Sequence, residues 1–231
     1  SFQMGDSTLP VAPIEGGSSH VATVGSAVEG ACGKLKKQLL ALARKQGRAE
    51  FARARLEDVV SAGGRMALAA DPATAIPLSD LLASGGLSSI DAKYLLLPNI
   101  LEQRKFVRAT HSAVFVEVRV DEELGTVRVM RVVSAIAAGR ILNPTTARSQ
   151  IIGGVIWGIG EALHEQTESD HRFGRFMNHD LAQYHVSVNA DIHDIEVLFA
   201  DEDDRVVSRL GAKGVGEIGL VGVSAAISNA I

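Results

Sequence analysis

The run G-A-K-G-V-G-E-I-G-L-V-G, residues 211–222, places one carboxylate, Glu217, directly behind three closely spaced glycines, Gly211, Gly214 and Gly216. Glycine tolerates positive φ and lets a backbone approach a ligand closely. Carboxylates are ordinarily solvated. An acid set among glycines ahead of an apolar run is therefore either a first-turn residue favoured by a helix dipole or a buried acid with altered proton affinity, available for acid–base chemistry. Gly219, Val221, Gly222, Val223, Ala225, Ala226 and Ile227 read as a small-residue helix packed tightly behind it.

Two other turns share this grammar, a loop of small or hydroxyl-bearing residues ahead of a helix. One is Gly16-Gly17-Ser18-Ser19; the other is Arg140, Ile141, Leu142, Asn143, Pro144, Thr145 and Thr146. Unpaired N–H groups at a helix start form a ready anion site, and Arg140 and Lys213 could add positive charge for phosphate. The functional reading is that all three turns converge on one phosphorylated ligand, and the plain reading is ordinary capping and tight packing. Neither a Walker A loop nor a G-x-G-x-x-G after a strand is present. His171, His179, His185 and His193 follow steps of eight, six and eight, which match no zinc-ribbon spacing. No G-x-S-x-G elbow supports a serine hydrolase.

Periodicity indicates the elements that must hold these turns. Residues 2–4 read as the end of a strand and 5–19 as a loop. Val21, Val24, Val28, Cys32, Leu35, Leu39 and Leu42 form the apolar stripe of a helix that ends at Gly47, with Cys32 as core. Residues 56–62 read as a short helix, 65–69 as a strand and 76–82 as another short helix closed by Gly85-Gly86. Alternation of Val114, Val116, Val118 and Val120 with Phe115, Glu117 and Arg119, then a second run at 126–133, predicts a β-hairpin. Asn143 can cap, and Pro144 can open, a long helix carrying Gly153, Gly154, Gly158 and Gly160. Each interior glycine costs up to about 1 kcal/mol relative to alanine, so four of them imply that backbone or ligand packs very close. Strands around 184–188 and 194–199 lead through an acidic turn at 201–204 back to the Glu217 run. The expected fold class is α+β, mixed sheets with packed helices, with 1–109 and 110–231 as possible subdomains of one cofactor-binding unit.

Composition narrows the function further. A net charge of −4 leaves no electrostatic footprint for nucleic acid or an anionic membrane, and no apolar run reaches the roughly 20 residues of a membrane span. One cysteine excludes an internal disulfide and any cysteine-built metal or iron–sulfur site. The opening residues carry no signal peptide, which leaves a cytoplasmic or periplasmic location open. A start without Met and an end inside a helical pattern lead to the expectation of a fragment of a longer polypeptide.

Four ordered stretches carry a resemblance: G-G-S-S-H-V-A-T-V-G-S-A-V-E-G-A-C, A-A-G-R-I-L-N-P-T-T-A-R-S-Q-I-I-G-G-V-I-W-G-I-G-E-A-L-H-E, G-R-F-M-N-H-D-L-A-Q-Y-H-V and G-A-K-G-V-G-E-I-G-L-V-G. Together they resemble the molybdenum-cofactor-binding large subunit of the xanthine oxidase family, most of all the aldehyde oxidoreductases of the bacterial periplasm. The resemblance implies the second molybdopterin-binding domain of that subunit and oxidation of an aldehyde, or alternatively of an N-heterocycle such as a purine or isoquinoline. By the same resemblance Glu217 is the general base. Lys213, Gly214, Val215 and Gly216 form the backbone run beside the cofactor; residues 140–146 with Gln150 cradle the pterin and its phosphates; and Gly17 and Ser18 make contact ahead of the first helix. The implied cofactor is molybdopterin cytosine dinucleotide, with iron–sulfur clusters and FAD on partner subunits. An isolated fragment would be an inert cofactor- or partner-docking module.

Overall fold

The structure is a computed structural model that describes residues 3, 5–97, 101 and 104–231. The chain divides into two compact units, Gly25–Pro98 and a second made of Ser1–Val24 with Asn99–Ile231. The mixed α+β class expected from the sequence is the one observed. The strand end expected at 2–4 falls on Phe2 and Met4, which lie outside the described residues.

In the unit Gly25–Pro98, helix α1 (Ser26–Lys45) is followed by a three-stranded antiparallel sheet, β1 (Val59–Ala62), β2 (Arg65–Leu68) and β3 (Asp71–Pro77), and by helix α2 (Leu78–Ser84). Leu39, Leu40, Ala43, Phe51, Val59, Met66 and Leu81 build its core. The apolar stripe predicted for α1 holds only in its second half, because Val28 and Cys32 are exposed. The buried line of the first half runs instead through Ser26 and Gly30. A Cβ on Gly30 would lie 2.6 Å from the Tyr94 ring, so small residues, rather than large apolar ones, mark the contact there. The helix expected at 56–62 is a single 3₁₀ turn followed by β1, whose Val59-Val60 pair favours a strand over a helix. Strand β3 precedes α2 and was not anticipated.

The larger unit is built on the predicted hairpin. Strands β4 (His111–Asp121) and β5 (Thr126–Ala137) pair antiparallel, and a bulge between Glu117 and Val118 shifts their register. Helix α3 (Pro144–Leu163) begins as predicted: Pro144 is its first residue, and the Asn143 side chain accepts the N–H groups of Thr145 and Thr146 at 3.1 and 3.2 Å. The chain crosses over through α3 and a short ribbon, β6 (Ser169–Asp170) with β7 (Arg175–Phe176), into β8 (Asp194–Phe199), which lies parallel to β5. The strand expected at 184–188 is irregular chain. Helix α4 (Val223–Ala230) completes the unit.

Val129, Val132 and Ile136 of β5, Val197 of β8, Ile151, Val155 and Ile159 of α3, and Val223 and Ile227 of α4 form one core. Each such side chain contributes roughly 1.5–3 kcal/mol on burial, enough to hold the carboxyl ends of β5 and β8 beside the start of α3. The opposite face of α3 carries Gly153 and the half-exposed Trp157.

Candidate functional site

Past the carboxyl end of β5, Gly139 and Ala212 form an isolated antiparallel bridge. Lys213 donates its N–H to the Ala138 carbonyl at 2.9 Å, and Arg140 donates its N–H to the Gly211 carbonyl at 2.7 Å. The turn that begins at Arg140 and the run that leads to Glu217 therefore leave from one short pairing. Gly139 and Gly211 both have positive φ, and a Cβ on Gly139 would collide with the Gly211 carbonyl. Here glycine is a steric requirement.

Beyond this bridge the run meets the third turn. A Cβ on Gly214 would overlap the Gly17 carbonyl, and one on Gly216 would lie 2.5 Å from Ser18 Oγ and 3.1 Å from Gln150 Oε1. A Cβ on Gly17 would lie 3.8 Å from the Glu217 carboxylate. Gly17, Ser18, Gln150, Gly214, Gly216 and Glu217 are thus brought together. Ser18 is the one non-glycine residue with positive φ, 53°, among those described. Such a backbone costs of order 1–3 kcal/mol and concentrates at ligand-contacting loops. Thr110 Oγ1 donates to the Gly214 carbonyl at 3.1 Å and steadies the run from the other side.

Glu217 opens a 3₁₀ turn, Glu217–Gly219, rather than the apolar helix itself, which starts later at Val223 after Gly222 turns the chain with φ 89°. That turn rests on α3 backbone to backbone. A Cβ on Gly154 would lie 2.8 Å from the Gly219 carbonyl carbon and the Leu220 nitrogen, and one on Gly158 would lie 2.6 Å from Val223 Cβ. Two of the four helix glycines are therefore explained by the segment that carries the acid. The Gly160 Cβ direction meets Glu165, and that of Gly153 meets nothing within 4 Å. Glu217 itself is exposed in this chain and is not the buried acid considered from the sequence.

The two candidate cations differ. Lys213 is only 6% exposed, and its ammonium lies 2.7 Å from Glu202 Oε1 and 3.2 Å from Asp204 Oδ2. Burial opposes its charge, but the two carboxylates outweigh burial and hold the ammonium above its ordinary pKa. Lys213 is committed inward and is not a phosphate-facing cation. Arg140 is exposed, and among the described residues its guanidinium makes no hydrogen bond or ion pair. Of the rest of the turn, Ile141 and Val215 pack on the core, Leu142 is half-exposed, and Asn143, Thr145 and Thr146 form the α3 cap. Pro144 has no N–H and those of Thr145 and Thr146 are taken up by Asn143, so the exposed Arg140 guanidinium, without a partner among the described residues, is what this turn offers a polyanionic group.

Sequence reasoning missed Glu202, which lies in the acidic turn after β8; a lysine read as buried would have called for an acid nearby. A cleft of about 570 Å³ is lined by Glu168 and by Arg175, Phe176, Met177, Asn178, His179 and Gln183 of the third stretch that carries the resemblance, none of them a predicted site residue. Among the described residues no group of three or more His, Cys, Asp or Glu side chains could hold a metal ion.

A mixed sheet with a crossover helix thus carries the glycine turns and the Glu217 carboxylate at one end, and comparison with known proteins specifies the class of domain. Residues 1–193 match the molybdopterin cofactor-binding domain, and the chain belongs to that family, within the xanthine oxidase group of molybdenum enzymes. It is 40% identical over its whole length to the aldehyde oxidoreductase molybdenum-binding subunit PaoC of Escherichia coli K12, covering 29% of that protein. It is 30% identical over 216 residues, 93% of the chain and 28% of the relative, to a probable xanthine dehydrogenase subunit of Bacillus subtilis. The fold matches CO dehydrogenase from Oligotropha carboxidovorans with a TM-score of 0.71 at 20% identity, over 91% of this chain and 26% of that one. The chain thus spans less than a third of the length of these relatives.

Proposed function

We propose that this chain is part of the molybdenum-binding subunit of an oxidoreductase that converts aldehydes to carboxylic acids, with Glu217 as general base. The observation that carries this reading is the 40% identity across the entire chain to an aldehyde oxidoreductase subunit. The cofactor is proposed to be molybdopterin cytosine dinucleotide. When bound, it supplies the metal centre at which the substrate carbon is oxidised with oxygen from water. Arg140, beside the positive end of α3, would neutralise its diphosphate, while Gly214 and Gly216 let the Glu217 run pack directly on the Gly17-Ser18 turn. Glu217 accepts a proton at its carboxylate, a task that requires hydrogen-bond reach and exclusion of water. Because Glu217 is exposed in this chain, that exclusion falls to the cofactor and to the remainder of the subunit. Electrons would leave through iron–sulfur clusters and FAD on partner subunits.

In the complete enzyme, Glu217→Gln is expected to abolish turnover, by at least about 100-fold for loss of a general base, with molybdenum content unchanged. A rate close to wild type would remove Glu217 from this role. Hydroxylation of an N-heterocycle is the second reading, favoured by the identity to a probable xanthine dehydrogenase subunit. Assay of a panel of aldehydes and purines separates the two.

A further inference from the structure

Glu202 lies three residues past the end of β8, and its two carboxylate oxygens are divided between two different segments. Oε1 accepts from Lys213 Nζ at 2.7 Å, and Oε2 accepts from the Gly139 N–H at 2.8 Å. Gly139 immediately precedes Arg140, and Lys213 opens the run that ends at Glu217. One side chain therefore joins the start of the turn assigned to the phosphates to the start of the turn that carries the acid. The neighbouring Asp204 is placed differently. Its Oδ2 shares the Lys213 ammonium, while its Oδ1 accepts from the N–H groups of Val206 and Val207 within its own turn. No hydrogen bond joins Asp204 to the Gly139 side among the described residues.

We propose that Glu202 is a positioning residue: its carboxylate braces the backbone pairing between the Arg140 turn and the Glu217 run by holding the Gly139 amide and the Lys213 ammonium at once. The inference rests on the cofactor reading given above, and it assigns to Glu202 no contact with substrate or cofactor. Both donors need an acceptor, and a carboxylate offers two. Glutamine in its place keeps the size but offers one oxygen and one NH₂ group, so in either orientation a donor faces a donor. Asparagine at 204 leaves the Gly139 contact intact.

The test compares wild type, Glu202→Gln and Asp204→Asn in the complete enzyme with its partner subunits. Amide exchange, molybdenum content and turnover per bound molybdenum are measured for each. In Glu202→Gln, exchange at 139–140 and 211–216 should accelerate about tenfold or more, as for the loss of one charge-assisted hydrogen bond, while peptides from β5 and the middle of α3 keep their wild-type rates. Molybdenum content and turnover per molybdenum should both fall. Asp204→Asn should keep the wild-type rate at 139–140 and the wild-type turnover per molybdenum. Unchanged exchange in Glu202→Gln, or equal opening of 139–140 in Asp204→Asn, overturns the proposal. Should Glu202→Gln not accumulate folded, Glu202→Asp carries the same test, since it keeps the charge on an arm too short to reach both donors. A wild-type enzyme without molybdenum would refute the cofactor reading alone, and the exchange measurements would still decide the role of Glu202.

Discussion

At the scale of single residues, the two basic side chains near the Glu217 run have opposite assignments that their identities alone did not reveal. Lys213 is held by two acids, whereas the Arg140 guanidinium is exposed and makes no hydrogen bond or ion pair among the described residues. Charge reversal at Arg140 should therefore weaken cofactor retention at least about tenfold, the worth of one charge-assisted contact to phosphate. Molybdenum analysis after gel filtration checks this, and full loading of Arg140→Glu would refute it. The glycines were the most legible residues in the sequence because their reason is steric. Gly214 and Gly216 each face an atom that leaves no room for a Cβ, as does Gly139, which the sequence reading did not single out. Glu202 was not legible, because a lone acid in an acidic turn looks solvated until the fold brings Lys213 and Gly139 to it.

At the scale of elements, α3 shows how a glycine in a helix can be required at one position and incidental at another. Gly158→Ala would press a methyl group against Val223, a contact of 2.6 Å before any relaxation. This should cost about 1–3 kcal/mol as an overpacked site and displace the Glu217 turn. Gly153→Ala meets open space and should stabilise the chain by roughly 0.4–1 kcal/mol. Urea unfolding of the two variants beside wild type separates them, and equal effects would contradict the packing described. The start of α3 was legible because Asn143 and Pro144 encode it locally. Strands β1 and β3 were not, because their state depends on pairing with β2, which no local pattern reports. The same holds for the first half of α1, where Gly30 and Ser26 are buried while Val28 and Cys32 are exposed.

For the whole molecule, the Lys213 cluster ties stability to pH from both sides. The Lys213 contact comes first in holding Glu202 below the ordinary carboxylate range. Asp204 also lies below it, because hydrogen bonds from Val207 and Lys213 outweigh the upward push of burial. Their contribution is present above the ordinary carboxylate pKa and is lost as pH falls through the lowered values. Lys213 is held above its ordinary value, so its contribution is complete below that value and is lost as pH rises through the raised one. Urea midpoints should be flat across neutral pH with a limb at each end. Lys213→Met should move the acid limb to higher pH, and an acid limb unchanged by that substitution would rule the cluster out as its source.

Trp157, the sole tryptophan, projects from the outer face of α3, 58% exposed and away from the core. This chain of 231 residues therefore carries a single built-in optical probe with an uncommon bias. Its emission should shift to shorter wavelength when another polypeptide covers that helix face and should change little when the core alone loosens, so a fluorescence titration reads assembly rather than folding.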